Sequence, residues 1–157
     1  MSKYFMNLLG KNKFLTIVRL PVHIGLMVGF ADGEFDKKEQ KAMDEFILNS
    51  KMENRLLQEV FSYLQENLKK TVADVIELAK NSDIEKDIEK AKKILDTEIT
   101  PIVSKNFLIG IFALGIYVAN ASGGFLGFNK ISEEEFSTLE FFKEALDIKE
   151  EWWEEVS

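Results

Sequence analysis

Along most of this chain apolar residues return every three or four positions, the spacing that gathers them on one face of an α-helix. Leu56, Leu57, Val60, Phe61, Leu64 and Leu68 form one such stripe, and Val72, Val75, Ile76 and Ala79 a second. Ile84, Ile88, Ala91 and Leu95 form a third, and Phe136, Leu139, Phe142, Ala145 and Leu146 a fourth. No comparable alternation with period two occurs, so strands are not expected. The pattern predicts helices over about 2–9, 14–30, 37–49, 52–68, 72–81, 83–97, 101–120 and 133–147. Two stretches, 22–30 and 107–119, are apolar on nearly all sides. A helix without a polar face has to be enclosed by others, so these two are expected at the centre. Gly25 and Gly29, four apart, are expected to let another backbone approach closely.

Helix starts are marked by a small polar residue followed three positions later by an acid, the pattern of a capping box. It occurs at Asp36/Glu39, Ser50/Glu53, Thr71/Asp74, Ser82/Glu85 and Ser132/Glu135. Thr100 before Pro101 predicts a sixth start, with proline in the first helical position where its missing N–H costs nothing.

The two apolar helices are followed by similar sequences. Phe30-Ala31-Asp32-Gly33-Glu34-Phe35 leads to the cap at Asp36, and Asn120-Ala121-Ser122-Gly123-Gly124-Phe125, with a longer loop through Asn129, leads to the cap at Ser132. Apolar helix, glycine turn, capping box and amphipathic helix recur in the same order. This predicts one domain over 1–157 built on two helix-loop-helix repeats, about 14–50 and 101–147, in an all-α bundle of about seven to nine helices.

Composition narrows the function. With 46% hydrophobic residues in 157, the chain can bury a substantial core; only nine Gly and two Pro are too few for an all-β protein. No cysteine is present, which removes disulfides, thiolate metal sites and cysteine nucleophiles and points to the cytoplasm. A net charge of −7 argues against nucleic acid as a partner. The charge is polarised: residues 1–31 carry Lys3, Lys11, Lys13 and Arg19 with no acid, whereas 132–157 hold ten acids against Lys143 and Lys149. The basic start does not predict a secretory signal, because Arg19, Pro21 and His23 interrupt its apolar run. Phe5, Leu8 and Leu9 with Lys3 and Lys11 suit either a short helix packed on the bundle or an anionic membrane surface, the packed helix being preferred. Asn106 to Asn129 are 24 residues without a charge, nominally enough to span a bilayer, but the polar, glycine-containing second half favours a buried core helix and no transmembrane segment.

No nucleophile elbow, P-loop, dinucleotide fingerprint or paired-histidine zinc motif is present, so there is no positive case for an enzyme. The single histidine, His23, is read as a core residue. Trp152 and Trp153, in an acidic tail, are expected to dock on the protein's own core or to anchor a partner.

The chemistry concentrates in the first loop, where Asp32, Glu34, Asp36 and Glu39 place four acids within eight residues. All-oxygen donors of this kind suit a hard cation, Ca²⁺ or Mg²⁺, and Gly33 gives the loop its freedom. The spacing is not that of an EF-hand, and acids in a first helical turn also complement the helix dipole by about 0.3–1 kcal/mol each. From spacing alone both readings stand. The second loop, with Asn120, Ser122 and Asn129, offers neutral oxygens that add little affinity.

Ala31-Asp32-Gly33-Glu34 through Glu39, together with Ala121-Ser122-Gly123-Gly124-Phe125-Leu126-Gly127 through Glu135, resembles the acidic-loop motif of the TerB-type tellurite-resistance family. The likeness runs over about 14–147. It implies an all-helical fold of two pseudo-twofold related halves and a stress-response protein without enzymatic activity. It also implies divalent-metal binding, calcium favoured over magnesium, and partners in a membrane-associated complex. Carried onto this chain it nominates Asp32, Asp36 and Glu39, with Glu34 beside them. Ser122 stands where the family places an acid, which argues against a second cation site. The competing expectation is a metal-independent interaction or membrane-surface module whose loop acids are only caps; a metal-dependent hydrolase is the third class.

Overall fold

The computed structural model describes residues 3–33, 35–49, 54–122 and 131–154, the side chains of Ser122, Trp153 and Glu154 excepted. Its elements are all helical: α1 (Tyr4–Leu9), α2 (Lys11–Phe30), α3 (Lys37–Asn49), α4 (Arg55–Lys80), α5 (Ile84–Glu98), α6 (Pro101–Ser122), α7 (Glu133–Ala145) and α8 (Glu150–Glu154).

The two apolar stretches form α2 and α6, and these make the most extensive helix pair in the molecule. Around them lie α3 on α6, α4 and α5 on α2, and α7 against both. Phe14, Ile17, Leu20 and Ile24 of α2 and Phe107, Ile111 and Leu114 of α6 are wholly or almost wholly buried. By length and composition alone both α2 and α6 could also cross a membrane; here 72% and 56% of their apolar windows are buried inside the bundle.

Close approach at the helix glycines is to side chains, which corrects the expectation of a neighbouring backbone. Gly25 makes room for the Met43 side chain, Gly29 lies under the Phe35 ring, and a Cβ on Gly115 would meet Ile24 at 2.7 Å.

Two boundaries also differ from expectation. The break expected between 52–68 and 72–81 is present as a non-helical residue within α4, but it falls at Asn67 (φ −130°, ψ 22°) and not at Thr71, whose hydroxyl donates back to the Asn67 carbonyl at 2.9 Å. A threonine hydroxyl reaching one turn back satisfies itself within the helix instead of capping a new one. Ser82 lies in a left-handed turn (φ 58°), so Asp83, not Ser82, stands at the N-cap of α5, and it makes no side-chain cap bond. Ser50/Glu53 lies outside the described residues; α4 is capped by Asn54, whose side chain accepts from Leu57 N–H at 2.9 Å.

The short helices α1 and α8 are each tied down by a charged side chain of another helix. The N–H groups of Phe5 and Met6, unpaired donors in the first turn of α1, both donate to the Glu59 carboxylate of α4 at 2.9 Å. The short packed helix expected at the N-terminus is therefore held by a cap 54 residues away. At the other end Lys143 bonds Glu150 at 2.5 Å and Lys105 lies 5.6 Å from the centre of the Trp152 ring, so Trp152 docks on its own chain.

His23 is fully buried and its Nε2 lies 2.7 Å from Asp87 Oδ2; Arg19 bonds both Asp87 oxygens, at 2.8 and 3.0 Å. Burial opposes the Asp87 charge, but bonds from His23 and Arg19 prevail and hold its carboxyl down to about 2. This stabilises the fold above the ordinary carboxylate range and is lost as pH falls through 2. Asp87→Ala, which strands Arg19 and His23 between α2 and α5, is expected to cost about 3 kcal/mol or more in urea unfolding at neutral pH; a loss below 1 kcal/mol would show the pair is not holding α5 in place.

Candidate cation site

The loop between α2 and α3 is shaped by its two ends. The rings of Phe30 and Phe35 lie 5.1 Å apart, Gly33 adopts φ +98°, and the Gly33 N–H donates to the Phe30 carbonyl at 2.9 Å. Positive φ at Gly33 is what lets so short a connection turn without strain.

The capping box forms as the sequence predicts. Asp36 Oδ1 accepts from the Glu39 N–H at 2.8 Å, and Glu39 Oε1 accepts from the Asp36 N–H at 3.1 Å. In an ordinary box the glutamate lies at the surface. Here Glu39 is completely buried, and among the described residues its second oxygen, Oε2, finds no hydrogen-bond partner. A buried carboxylate oxygen without a donor is energetically costly, so the group resists ionisation. Burial is the largest cause; the bond from Asp36 N–H opposes it, and the charges of Asp36, Asp32 and Glu135 add to it, pushing Glu39 up to about 7.

Glu135 is the residue that sequence reasoning did not nominate. It is 1% exposed and belongs to the second capping box, accepting from Ser132 N–H at 3.0 Å while Ser132 Oγ accepts from Glu135 N–H at 3.1 Å. The corresponding glutamates of the two boxes thus lie near enough for one charge to disturb the other. The available signal was the box itself: two acids of the same type after two apolar helices that pack together.

Of the four nominated ligands, Asp36 and Glu39 are brought together, Asp32 is exposed, and Glu34 lies outside the described residues. Ser122's side chain and Asn129 also lie outside them. Among the described residues no group of three or more His, Cys, Asp or Glu is arranged to hold a metal ion. In donor chemistry the nominated acids fit a hard cation: their donors are carboxylate oxygens, one of which, Glu39 Oε2, is buried and without a partner among the described residues.

Comparison with protein-family models, with curated proteins and with solved structures finds no match.

The raised Glu39 titration carries a sign. Unfolded, the group ionises near 4.5; folded, it holds its proton to about 7. The unfolded state therefore loses its proton first, and stability falls from pH 4.5 to 7 and then levels, by roughly 3 kcal/mol in all. In metal-free buffer Glu39→Gln, which keeps the cap acceptor without the charge, is expected to flatten that decline and to melt above the native protein at pH 8. Parallel melting curves for the two proteins from pH 5 to 8 would show that Glu39 is not held protonated.

Proposed function

We propose that this protein is a non-enzymatic, TerB-like helical module, cytoplasmic and of the stress-response and tellurite-resistance kind. In this reading it binds a divalent cation, calcium in preference to magnesium, at the first loop and presents a cation-dependent surface to a partner, as in a membrane-associated complex. The observation that carries the reading is the unpaired Oε2 of the fully buried Glu39 beside a second buried glutamate. Such an oxygen needs a proton or a cation, and surplus negative charge in the same place favours a doubly charged one.

In this reading Glu39 and Asp36 hold the ion, Asp32 and Glu34 close over it from the loop, and Glu135 supplies charge from the second repeat. A bound cation offers positive charge to the crowded acids. Asp32 is exposed and sits beside Gly33, at the positive-φ turn of the loop. Ordering the loop fixes the Phe30–Phe35 pair, and this transmits occupancy to the surface around the end of α2. The lack of a complete ligand cluster among the described residues favours the competing reading, in which the acids serve only as caps and the module acts without metal.

Titration calorimetry with Ca²⁺ and with Mg²⁺ separates the two. The expected result is one site, tighter for Ca²⁺, weakened at least tenfold by Asp36→Asn, with proton release below pH 7 seen as a dependence of the heat on buffer. At a hundredfold excess over Kd the ion raises stability by about 2.7 kcal/mol. Absence of heat together with an unchanged melting temperature removes the site and leaves the caps.

A further inference from the structure

α6 turns the larger part of its apolar surface inward. From Asn106 to Asn120 its only residues that are not buried are Asn106, Ile109, Ala113, Ile116, Tyr117 and Asn120. With Ile102, which is 62% exposed, the positions that are not buried run 102, 106, 109, 113, 116 and 120, in steps of four and three; Ile102 and Asn106 are exposed and the other four half-buried, Ile116 packing partly against the core. Tyr117 stands at the border of this line, its ring 5.6 Å from that of Phe46 on α3. The rest of the helix is occupied: Gly110 receives Leu57 of α4, and Gly115 receives Ile24 of α2 and Leu139 of α7.

A seven-residue repeat of this kind is a coiled-coil seam, narrower than the face a helix needs to lie on a core. Isoleucine fills one position of the repeat three times, at 102, 109 and 116; the other holds Asn106, Ala113 and Asn120. The seam carries no charge, in a chain whose net charge is −7. Two copies of such a chain repel one another except where a neutral face is offered. Asparagine adds direction. Its amide is both donor and acceptor, so two asparagines from two copies satisfy each other, whereas a lipid chain satisfies neither. A parallel alignment pairs Asn106 with Asn106 and Asn120 with Asn120 and sets the small Ala113 against itself between them. An antiparallel one sets each asparagine against an isoleucine.

We propose that the outward seam of α6 is the contact of a two-fold dimer, in which a second copy of this chain packs its own α6 alongside in parallel, with Asn106 and Asn120 fixing the register. The seam extends over about 27 Å of helix at 1.5 Å per residue. Gly115 on the opposite side and Gly110 on one flank keep the helix seated in its own bundle, so the dimer forms without opening the fold.

The test is sedimentation of the full chain at tens of micromolar, with cross-linking through single cysteines introduced into a chain that has none. The native protein is expected to sediment at twice its 18.0 kDa mass. Ile109→Glu, which changes an outward position, is expected to give a monomer with unchanged helical circular dichroism. Asn106→Cys is expected to cross-link to itself, and Lys90→Cys on α5 to remain uncross-linked. A native protein that stays monomeric overturns the proposal, as does a dimer that survives both Ile109→Glu and Ile116→Glu. A dimer in which Asn106→Cys fails to link overturns the parallel alignment. A monomer that binds phosphatidylcholine–phosphatidylglycerol vesicles, and loses them on Ile109→Glu, assigns the seam to lipid instead. Should Ile109→Glu unfold, the cysteine pair still decides.

Discussion

The constraint on which the rest of this molecule depends is that α2 and α6 have almost no polar face of their own. Each therefore has to be enclosed, and helices α3, α4, α5 and α7 do this from different sides. Enclosure at this density requires flat places. Gly25 under the Met43 side chain of α3 and Gly110 under Leu57 of α4 are such places, and there the outer helices lie close to the central pair. A consequence is that polar groups caught between the central pair and its shell are far from water. Every one of them has to find a partner inside the protein or bear the cost of having none.

Two buried carboxylates show both outcomes. Asp87 meets His23 and Arg19, and its charge is stabilised well below the usual carboxylate range. Glu39 is at least as deeply buried but meets one backbone N–H, an unsatisfied environment and further acids, and its charge is resisted. The difference lies in the partners, not in the depth. Asp87 is explained entirely by the fold, as an acid that ties α5 to α2. Nothing in the fold explains Glu39 in the same way: glutamine would cap α3 equally well and leave no titrating oxygen behind. That asymmetry is why the functional reading rests on Glu39.

Much of the helical framework was legible because it depends on local rules. Residues 37–49 form a helix as expected, Pro101 starts α6, and the Asp36/Glu39 and Ser132/Glu135 boxes both close. The failures came where a distant group overruled a local one. Thr71 is a local exception: its hydroxyl is satisfied on the Asn67 carbonyl, so the expected break falls at Asn67, four residues earlier. Asp87 reads as an ordinary first-turn acid until α2 brings His23 and Arg19 to it. Glu59 reads as one more surface glutamate on an amphipathic helix until α1 rests its N–H groups on it. In the candidate site, Asp36 and Glu39 were visible from their spacing. The burial of Glu39 and the nearness of Glu135 were not, since both arise from how α3 and α7 meet the central pair.

The same constraint links the proposed cation site and the proposed dimer seam of α6. A helix used on almost every side retains only the line that the four outer helices leave uncovered, and on α6 that line has a period of seven because neighbours close in on both flanks. Asn120 lies at the end of this line, at the C-terminal end of α6, from which the chain passes to Ser132 and Glu135. An ion that draws Glu39 and Glu135 together acts on the starts of α3 and α7, both of which pack on α6. If binding and association both depend on where those helices rest, each has to alter the other's free energy by the same amount, whichever happens first. The apolar pair would then serve as more than a core: in the proposed reading one of its ends gathers charge, one of its edges meets a second copy, and the packing between them couples the two.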